Sequence, residues 1–270
     1  MKMLNGKELA DYIKQRQAQQ VRALRQASDI APRLAIVRCK DDPVIDTYIR
    51  LKQRYGADIL VEVDHHNVAQ SEIANLLQDL NKDSAVHGII LQLPLMDPAQ
   101  TDELVNLVSP HKDVDGLNQQ TDFDPATPMA IMWLLSGYNV DLRGKHVLLI
   151  GRGKLVGAPL ERLLQASGID VEVVGREVED LATHTLAADV IITATGSPAI
   201  LYPDMIKQGA VVVDAGVASE SGKTVGDLHP SVYERDDLTI TPAKGGVGPL
   251  TVCALFDNVI RAVRKSVEHG

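Results

Sequence analysis

The chain has 270 residues, 45% of them hydrophobic and 23% charged, which is enough apolar content to fill two modest cores. Its 27 basic and 36 acidic residues leave a formal net charge of −9, so it lacks the cationic footprint of a sequence-independent nucleic-acid binder. The opening MKMLNGKELADYIKQRQ has no continuous apolar stretch, and runs such as VHGIILQLPLM are too short and interrupted to cross a bilayer; a soluble cytoplasmic protein with neither nucleic-acid nor membrane partner is expected.

In chain order, strand-like and amphipathic segments alternate: RLAIVRC (33–39), VIDTYIRLKQRYG (44–56), DILVEVD (58–64), SEIANLLQDLNK (71–82), HGIILQLPL (87–95) and TDELVNLVS (101–109). Such alternation predicts βαβ units and a mainly parallel sheet. Pro and Asp accumulate in LNQQTDFDPATP (117–128), which marks a boundary. A linker helix ATPMAIMWLL is expected next, with Thr127 as its cap and Pro128 in its first turn. A second alternating series follows: KHVLLIG, a helix over Leu155–Ser167, IDVEVV, VEDLATHTLA, DVIITATG, YPDMIKQG and AVVVDAG. The last segment, LTVCALFDNVIRAVRKSVEH, has helical apolar spacing with no strand after it, so it is free to pack back on the first half. The fold class is therefore α/β with two domains: 1–122, 123–248, and a C-terminal helix over 249–270 that completes the first.

The stretch GRGKLVG (151–157) follows a strand and opens a helix. Gly151 and Gly153 permit a tight turn and Gly157 permits close packing, so backbone donors at the helix start can face a pyrophosphate. The spacing is one residue longer than the commonest dinucleotide fingerprint, and glycines that merely end a strand are the competing reading. After the next strand stands Gly175-Arg176, where an NAD site places an acidic residue for the ribose hydroxyls. Arg152 and Arg176 could flank a 2′-phosphate instead, which favours NADP, with NAD as the alternative cofactor; beside Glu177, a solvated loop residue is the competing reading of Arg176.

In the first half, Tyr48 and Lys52 lie four apart on one helical face with Val44, Ile45 and Tyr55. A lysine on such a face is partly desolvated, which favours its neutral form and suits it to proton transfer, although a snorkelling surface side chain is the ordinary alternative. Gln92 ends a buried strand, where open parallel sheets bind ligands, and Asp115 sits in the HKDVDG loop. His65 and His66 are adjacent on a strand and so point to opposite faces, and no metal site is expected. The two cysteines, Cys39 and Cys253, are expected to be buried small hydrophobes.

Taken together, LNGKELA, DDPVIDTYIRLK, VHGIILQLPL, KDVDGLN, GRGKLVGAP, ADVIITATGSP, GAVVVDAGV, VGDLH and ITPAKGGVGPLT resemble, in this order, the bifunctional methylenetetrahydrofolate dehydrogenase/cyclohydrolases, of which the chain looks like a divergent member. The resemblance implies a catalytic domain joined to a Rossmann domain with the folate cleft between them, in a homodimer. It implies oxidation of 5,10-methylenetetrahydrofolate with NADP and hydrolysis of the methenyl product to 10-formyltetrahydrofolate, in one-carbon metabolism and purine biosynthesis. By that likeness Lys52 transfers protons in hydrolysis, Gln92 orients it, Tyr48 stacks on the folate and Asp115 binds the pterin. The cofactor is assigned to Gly151, Arg152, Gly153, Val156, Gly157, Arg176, Thr195, Gly196 and Gly216, and folate further to Gly246, Pro249 and Thr251.

The chain also departs from the family pattern. Ile45 and Gly153 stand where serines are usual, Gly175-Arg176 replaces a histidine-serine pair, Ala130 replaces a glycine, PAKGG replaces Pro-Val-Pro-Gly-Gly, and the segment 116–126 is shortened. These changes leave open the loss of one activity, another dehydrogenase of similar build acting on shikimate or an amino acid, or a binding protein without turnover.

Overall fold

A computed structural model describes residues 1–220 and 223–269. In chain order the elements are β1 (Lys2–Met3), α1 (Gly6–Ser28), β2 (Arg33–Arg38), α2 (Pro43–Asp58), β3 (Glu62–Asn67), α3 (Ile73–Lys82), β4 (Gly88–Leu91), α4 (Thr101–Val105) and α5 (Ala126–Gly137). They continue with β5 (Val147–Ile150), α6 (Gly157–Ala166), β6 (Val171–Val174), α7 (Leu181–Ala187), β7 (Val190–Thr193), β8 (Val211–Asp214), β9 (Ala218–Glu220), β10 (Lys223–Val225), β11 (Thr239–Ile240) and α8 (Val247–His269). The chain divides into two compact units, one of Met1–Asp11 with Thr127–Thr251, the other of Tyr12–Ala126 with Val252–Gly270.

The unit holding Thr127–Thr251 is built on a six-stranded sheet in the order β1-β11-β8-β7-β5-β6, with every pairing parallel. Its central strands VLLI and VIIT are buried along their whole length, as expected of a parallel sheet covered on both faces. Leu148, Ile150, Ile191, Val212, Leu228 and Ile240 form part of its core. A short antiparallel pair, β9 and β10, stands apart from the main sheet.

The other unit carries a parallel sheet in the order β3-β2-β4. Ala35, Val37, Ile73, Leu77, Ile89 and Leu91 contribute to its core. Helix α2 starts where Asp42 accepts hydrogen bonds from the backbone N–H of Val44 at 2.8 Å and of Ile45 at 3.4 Å, with Pro43 at its first position. Within this unit α8 is tied down by Gln17, whose Nε2 donates to the carbonyl of Cys253 at 2.8 Å, and by Tyr55, whose ring stacks on Phe256 with centroids 4.9 Å apart.

Several local expectations shift. The strand expected over 58–64 runs instead from Glu62 to Asn67, because α2 continues to Asp58 and Leu60 turns the chain at φ 65°. Helix α4 stops at Val105 rather than reaching Ser109. Thr127 is the second residue of α5 rather than its cap. Cys253 is buried but Cys39 is only half-buried, its thiol 3.6 Å from Gln70 Oε1. The compact units also differ from the expected 1–122 boundary, because residues 1–11 group with the six-stranded sheet: Lys2 and Leu4 donate to the carbonyls of Leu238 and Ile240, both at 2.8 Å.

Candidate active site

Ile45, Ile49 and Gly56 form the buried stripe of α2, and Lys52 lies three residues after Ile49 on the same stripe, which is why a lysine here is half-buried. Its Nζ donates to Gln92 Oε1 at 2.8 Å. Gln92 directly follows β4, its own backbone N–H donating to Val37 O at 2.8 Å. The Gln92 Nε2 donates to Leu93 O at 3.0 Å, which fixes the amide with its oxygen toward the amine. Burial pushes the Lys52 pKa down and the Asp115 carboxylate opposes that shift; burial pushes Asp115 up and Lys52 opposes it. The three expected residues Lys52, Gln92 and Asp115 thus form one interacting group. Tyr48 lies one turn before Lys52 and is 36% exposed, open to a ligand.

The loop that carries Asp115 is held at several points. Ile89 N donates to Lys112 O at 2.7 Å, Asn118 N donates to Asp113 Oδ2 at 2.8 Å, and Asn258 Nδ2 on α8 donates to both Val114 O and Asp124 O at 2.9 Å. Asp113 is buried and its pKa is pushed up to about 6, chiefly by that burial. Asn258 carries no local signal in the sequence, since its backbone partners Val114 and Asp124 are remote along the chain, and Asp113 was missed although its partner Asn118 is only five residues away.

In the other unit, Gly151 has φ 112°, and a Cβ on Gly157 would stand 2.0 Å from Gly151 O. Strand end and helix start are therefore pressed together in a way only glycine allows. Whereas Asp42 and Asp180 cap α2 and α7, no side chain caps α6, whose N-cap is Val156. An uncapped helix start beside a glycine turn suits a pyrophosphate. Gly153 has no such constraint: its φ is not positive and a Cβ there would meet nothing within 4 Å, so the tight-turn role expected of it belongs to Gly151 alone.

Arg152 Nη2 donates to Val173 O on β6 at 2.6 Å, which sets its guanidinium beside the strand end that carries the exposed Arg176. Glu177 folds back toward Gly175 and stands 3.8 Å from Arg152 Nε. Thr195 and Gly196 follow β7, Gly196 with φ 65°, and Gly216 follows β8. Gly246, Pro249 and Thr251 belong to this unit rather than to the one with Lys52: Gly246 is packed against Gly6, and Thr251 Oγ1 is 3.5 Å from Thr127 Oγ1. Among the described residues, no group of three or more His, Cys, Asp or Glu is placed to hold a metal ion.

Residues 4–115 match the catalytic-domain model of tetrahydrofolate dehydrogenase/cyclohydrolase and residues 125–267 match its NAD(P)-binding-domain model. The chain belongs to the tetrahydrofolate dehydrogenase/cyclohydrolase family. It is 34% identical to the bifunctional protein FolD of Nitratiruptor sp., over 98% of this chain and 99% of the relative. The crystal structure of the bifunctional enzyme FolD from Campylobacter jejuni superposes with a TM-score of 0.91 at 35% identity, covering 98% of this chain and 99% of that one. The methylenetetrahydrofolate dehydrogenase-cyclohydrolase of Trypanosoma brucei, complexed with NADP and inhibitor, gives a TM-score of 0.91 at 29% identity, covering 98% of both chains. As a family member over both domains, the chain is an oxidoreductase and hydrolase of one-carbon tetrahydrofolates with an NAD(P)-binding domain.

Proposed function

We propose that this enzyme oxidises 5,10-methylenetetrahydrofolate with NADP and hydrolyses the resulting methenyl cation to 10-formyltetrahydrofolate, with Lys52 as the proton-transfer residue. The observation that carries the reading is the Lys52–Gln92 hydrogen bond at 2.8 Å on an amine whose pKa burial lowers. NADP, when bound, supplies the hydride acceptor. The glycine turn Gly151–Gly157, with Val156 at the uncapped start of α6, holds its pyrophosphate; Thr195, Gly196 and Gly216 line its path, and Arg152 and Arg176 meet the 2′-phosphate.

In hydrolysis, neutral Lys52 takes a proton from water as the water oxygen bonds to the cationic carbon; it then returns a proton to the ring nitrogen as the carbon–nitrogen bond breaks. Gln92 keeps the amine oriented, and Asp115 tunes its charge while accepting from the donor-rich edge of the pterin. Tyr48 stacks on the folate. Ile45, in place of a serine, is 3% exposed and belongs to the apolar stripe of α2, so it leaves the Lys52–Gln92 bond in place.

The full-length kinship to bifunctional enzymes supports this reading over a shikimate or amino-acid dehydrogenase and over a binding protein. No helix is long and apolar enough to cross a membrane among the described residues, and we place the enzyme in the cytoplasm, as a homodimer feeding formyl groups to purine biosynthesis. A spectrophotometric time course with methylenetetrahydrofolate and NADP, following reduced nicotinamide and the methenyl species separately, tests it. Reduction with little methenyl accumulation is expected; no reduction with either NADP or NAD refutes the dehydrogenase step, and methenyl decay at the buffer rate refutes the hydrolase step.

A further inference from the structure

Two aspartates beyond the glycine turn form a hydrogen-bonded relay. Asp214 ends β8, and its carboxylate accepts from the backbone N–H of Gly216 at 2.9 Å, of Asp227 at 3.1 Å and of Leu228 at 3.2 Å, and from the Thr193 hydroxyl at 3.3 Å. Asp227, thus held by its backbone, is fully buried, and its two carboxylate oxygens divide between two amides: Oδ2 accepts from Thr195 N at 2.8 Å and Oδ1 from Ser197 N at 3.1 Å. The Asp227 carbonyl also accepts from Ile200 N at 2.8 Å. There is no room for rearrangement on the far side, since a Cβ on Gly216 would lie 2.0 Å from Asp227 Oδ1 and one on Gly226 2.0 Å from Asp214 Oδ2.

The segment so fixed adjoins the glycine turn. It leaves the carboxyl end of β7, the strand next to β5, and its Ala194 carbonyl is packed against Gly151, at 2.6 Å from where a Cβ would stand. A dinucleotide held at the glycine turn with its adenosine half over β6 would bring its nicotinamide half toward β7 and β8, the strands on the other side of β5. Because the two amides meet different oxygens of Asp227, an asparagine there would keep one as its acceptor and turn its NH2 donors toward the other. With one oxygen on each amide, Asp227 ties Thr195 and Ser197 to a single relative placement.

We infer that Asp227 is a positioning residue for NADP, fixing the Thr195–Ser197 segment in the conformation that receives the nicotinamide half of the cofactor. The inference rests on the bifunctional reading and is tested on the full chain with Asp227→Asn. Loss of one amide contact is expected to weaken NADP binding, measured by calorimetric titration, about tenfold, the equivalent of about 1.4 kcal/mol. Methenyl hydrolysis, which uses no nicotinamide, should stay within about twofold of the parent. Unchanged NADP affinity overturns the inference, as does a parallel fall in hydrolysis, which would mean a general loss of structure.

If Asp227→Asn does not fold, Asp214→Asn loosens Asp227 from its backbone side and is read by the same two measurements. Amide exchange in the parent enzyme is a check that needs no variant: NADP should slow exchange at Thr195 and Ser197, and unaltered exchange there overturns the inference. A parent enzyme that neither binds NADP nor hydrolyses the methenyl substrate would instead sink the bifunctional reading itself.

Discussion

Replacing Gln92 by Glu changes charge at nearly constant volume at the atom that faces Lys52. In the parent, the amine donates to a neutral oxygen at 2.8 Å, and burial holds the lysine below its ordinary pKa. A carboxylate in the same place stabilises the ammonium form; an opposite charge at contact distance shifts a pKa by about one to three units. That corresponds to about 1.4–4 kcal/mol, or, at a pH where the ammonium form dominates, about a 10- to 1,000-fold smaller neutral fraction. If neutral Lys52 takes the proton from water, methenyl hydrolysis by Gln92→Glu should fall by up to that factor on the acid limb and recover as pH rises, the limb displaced upward by about one to three units. Gln92→Met removes the acceptor and should move the limb the opposite way. The assay is methenyl absorbance decay across pH 6 to 9.5 with the buffer rate subtracted. A pH-independent loss in Gln92→Glu, or a limb that does not move, would refute the assignment of Lys52 as the titrating base.

Three further outcomes are expected. Lys52→Met should reduce hydrolysis at least about 100-fold while the melting temperature holds or rises, because the variant no longer buries an amine; undiminished methenyl decay would remove Lys52 from the mechanism. Gly157→Ala places a Cβ 2.0 Å from the backbone oxygen of Gly151 and should cost about 1–3 kcal/mol in denaturant unfolding and weaken NADP binding, whereas Gly153→Ser, in open space, should change stability by less than about 0.5 kcal/mol. Asp113, raised from 3.8 to about 6, binds its proton more tightly folded than unfolded, so its contribution to stability is present below pH 3.8 and lost as pH rises through 6. Asp113→Asn keeps an acceptor for Asn118 N and should therefore gain on the parent by up to about 3 kcal/mol between pH 4 and 7, followed by urea unfolding; a pH-independent difference would show that Asp113 is not the group responsible.

What the sequence made legible was what local chemistry dictates. Alternating apolar and amphipathic runs announced the parallel sheets, and the glycine turn announced its own site because Gly151 and Gly157 are required by geometry at their own positions. The Lys52 stripe was readable in part: Ile45, placed on that face, is buried, whereas Val44, placed there too, is 44% exposed and Ile49 takes the buried position instead. Strand β1 was not: two residues, Lys2 and Met3, become a strand only because Thr239 and Ile240 lie beside them, and nothing in MKMLNG encodes that partner. The strand placed at 58–64 failed for a related reason, since β propensity in ILVEV could not reveal that α2 extends to Asp58 and that the chain reverses at Leu60.

The aspartates mark the deeper limit. In sequence, Asp113, Asp115, Asp214 and Asp227 are equivalent acidic residues in a chain of net charge −9, and only Asp115 was singled out. Their surroundings separate them. Asp113 accepts the Asn118 amide, Asp214 accepts three amides and a hydroxyl, and Asp227 divides its two oxygens between two amides. A carboxylate filled by backbone donors is committed to holding a loop in shape. Asp115 instead acts by charge on the Lys52 amine. The same side chain thus serves as a brace or as a charge according to its neighbours, and the donors to Asp227 come from 32 and 30 positions away along the chain, beyond the reach of any local pattern. Variants of the scaffold aspartates should consequently change binding or stability and leave the acid limb of hydrolysis in place, whereas Asp115→Asn, which removes the charge opposing the Lys52 shift, should move that limb to lower pH.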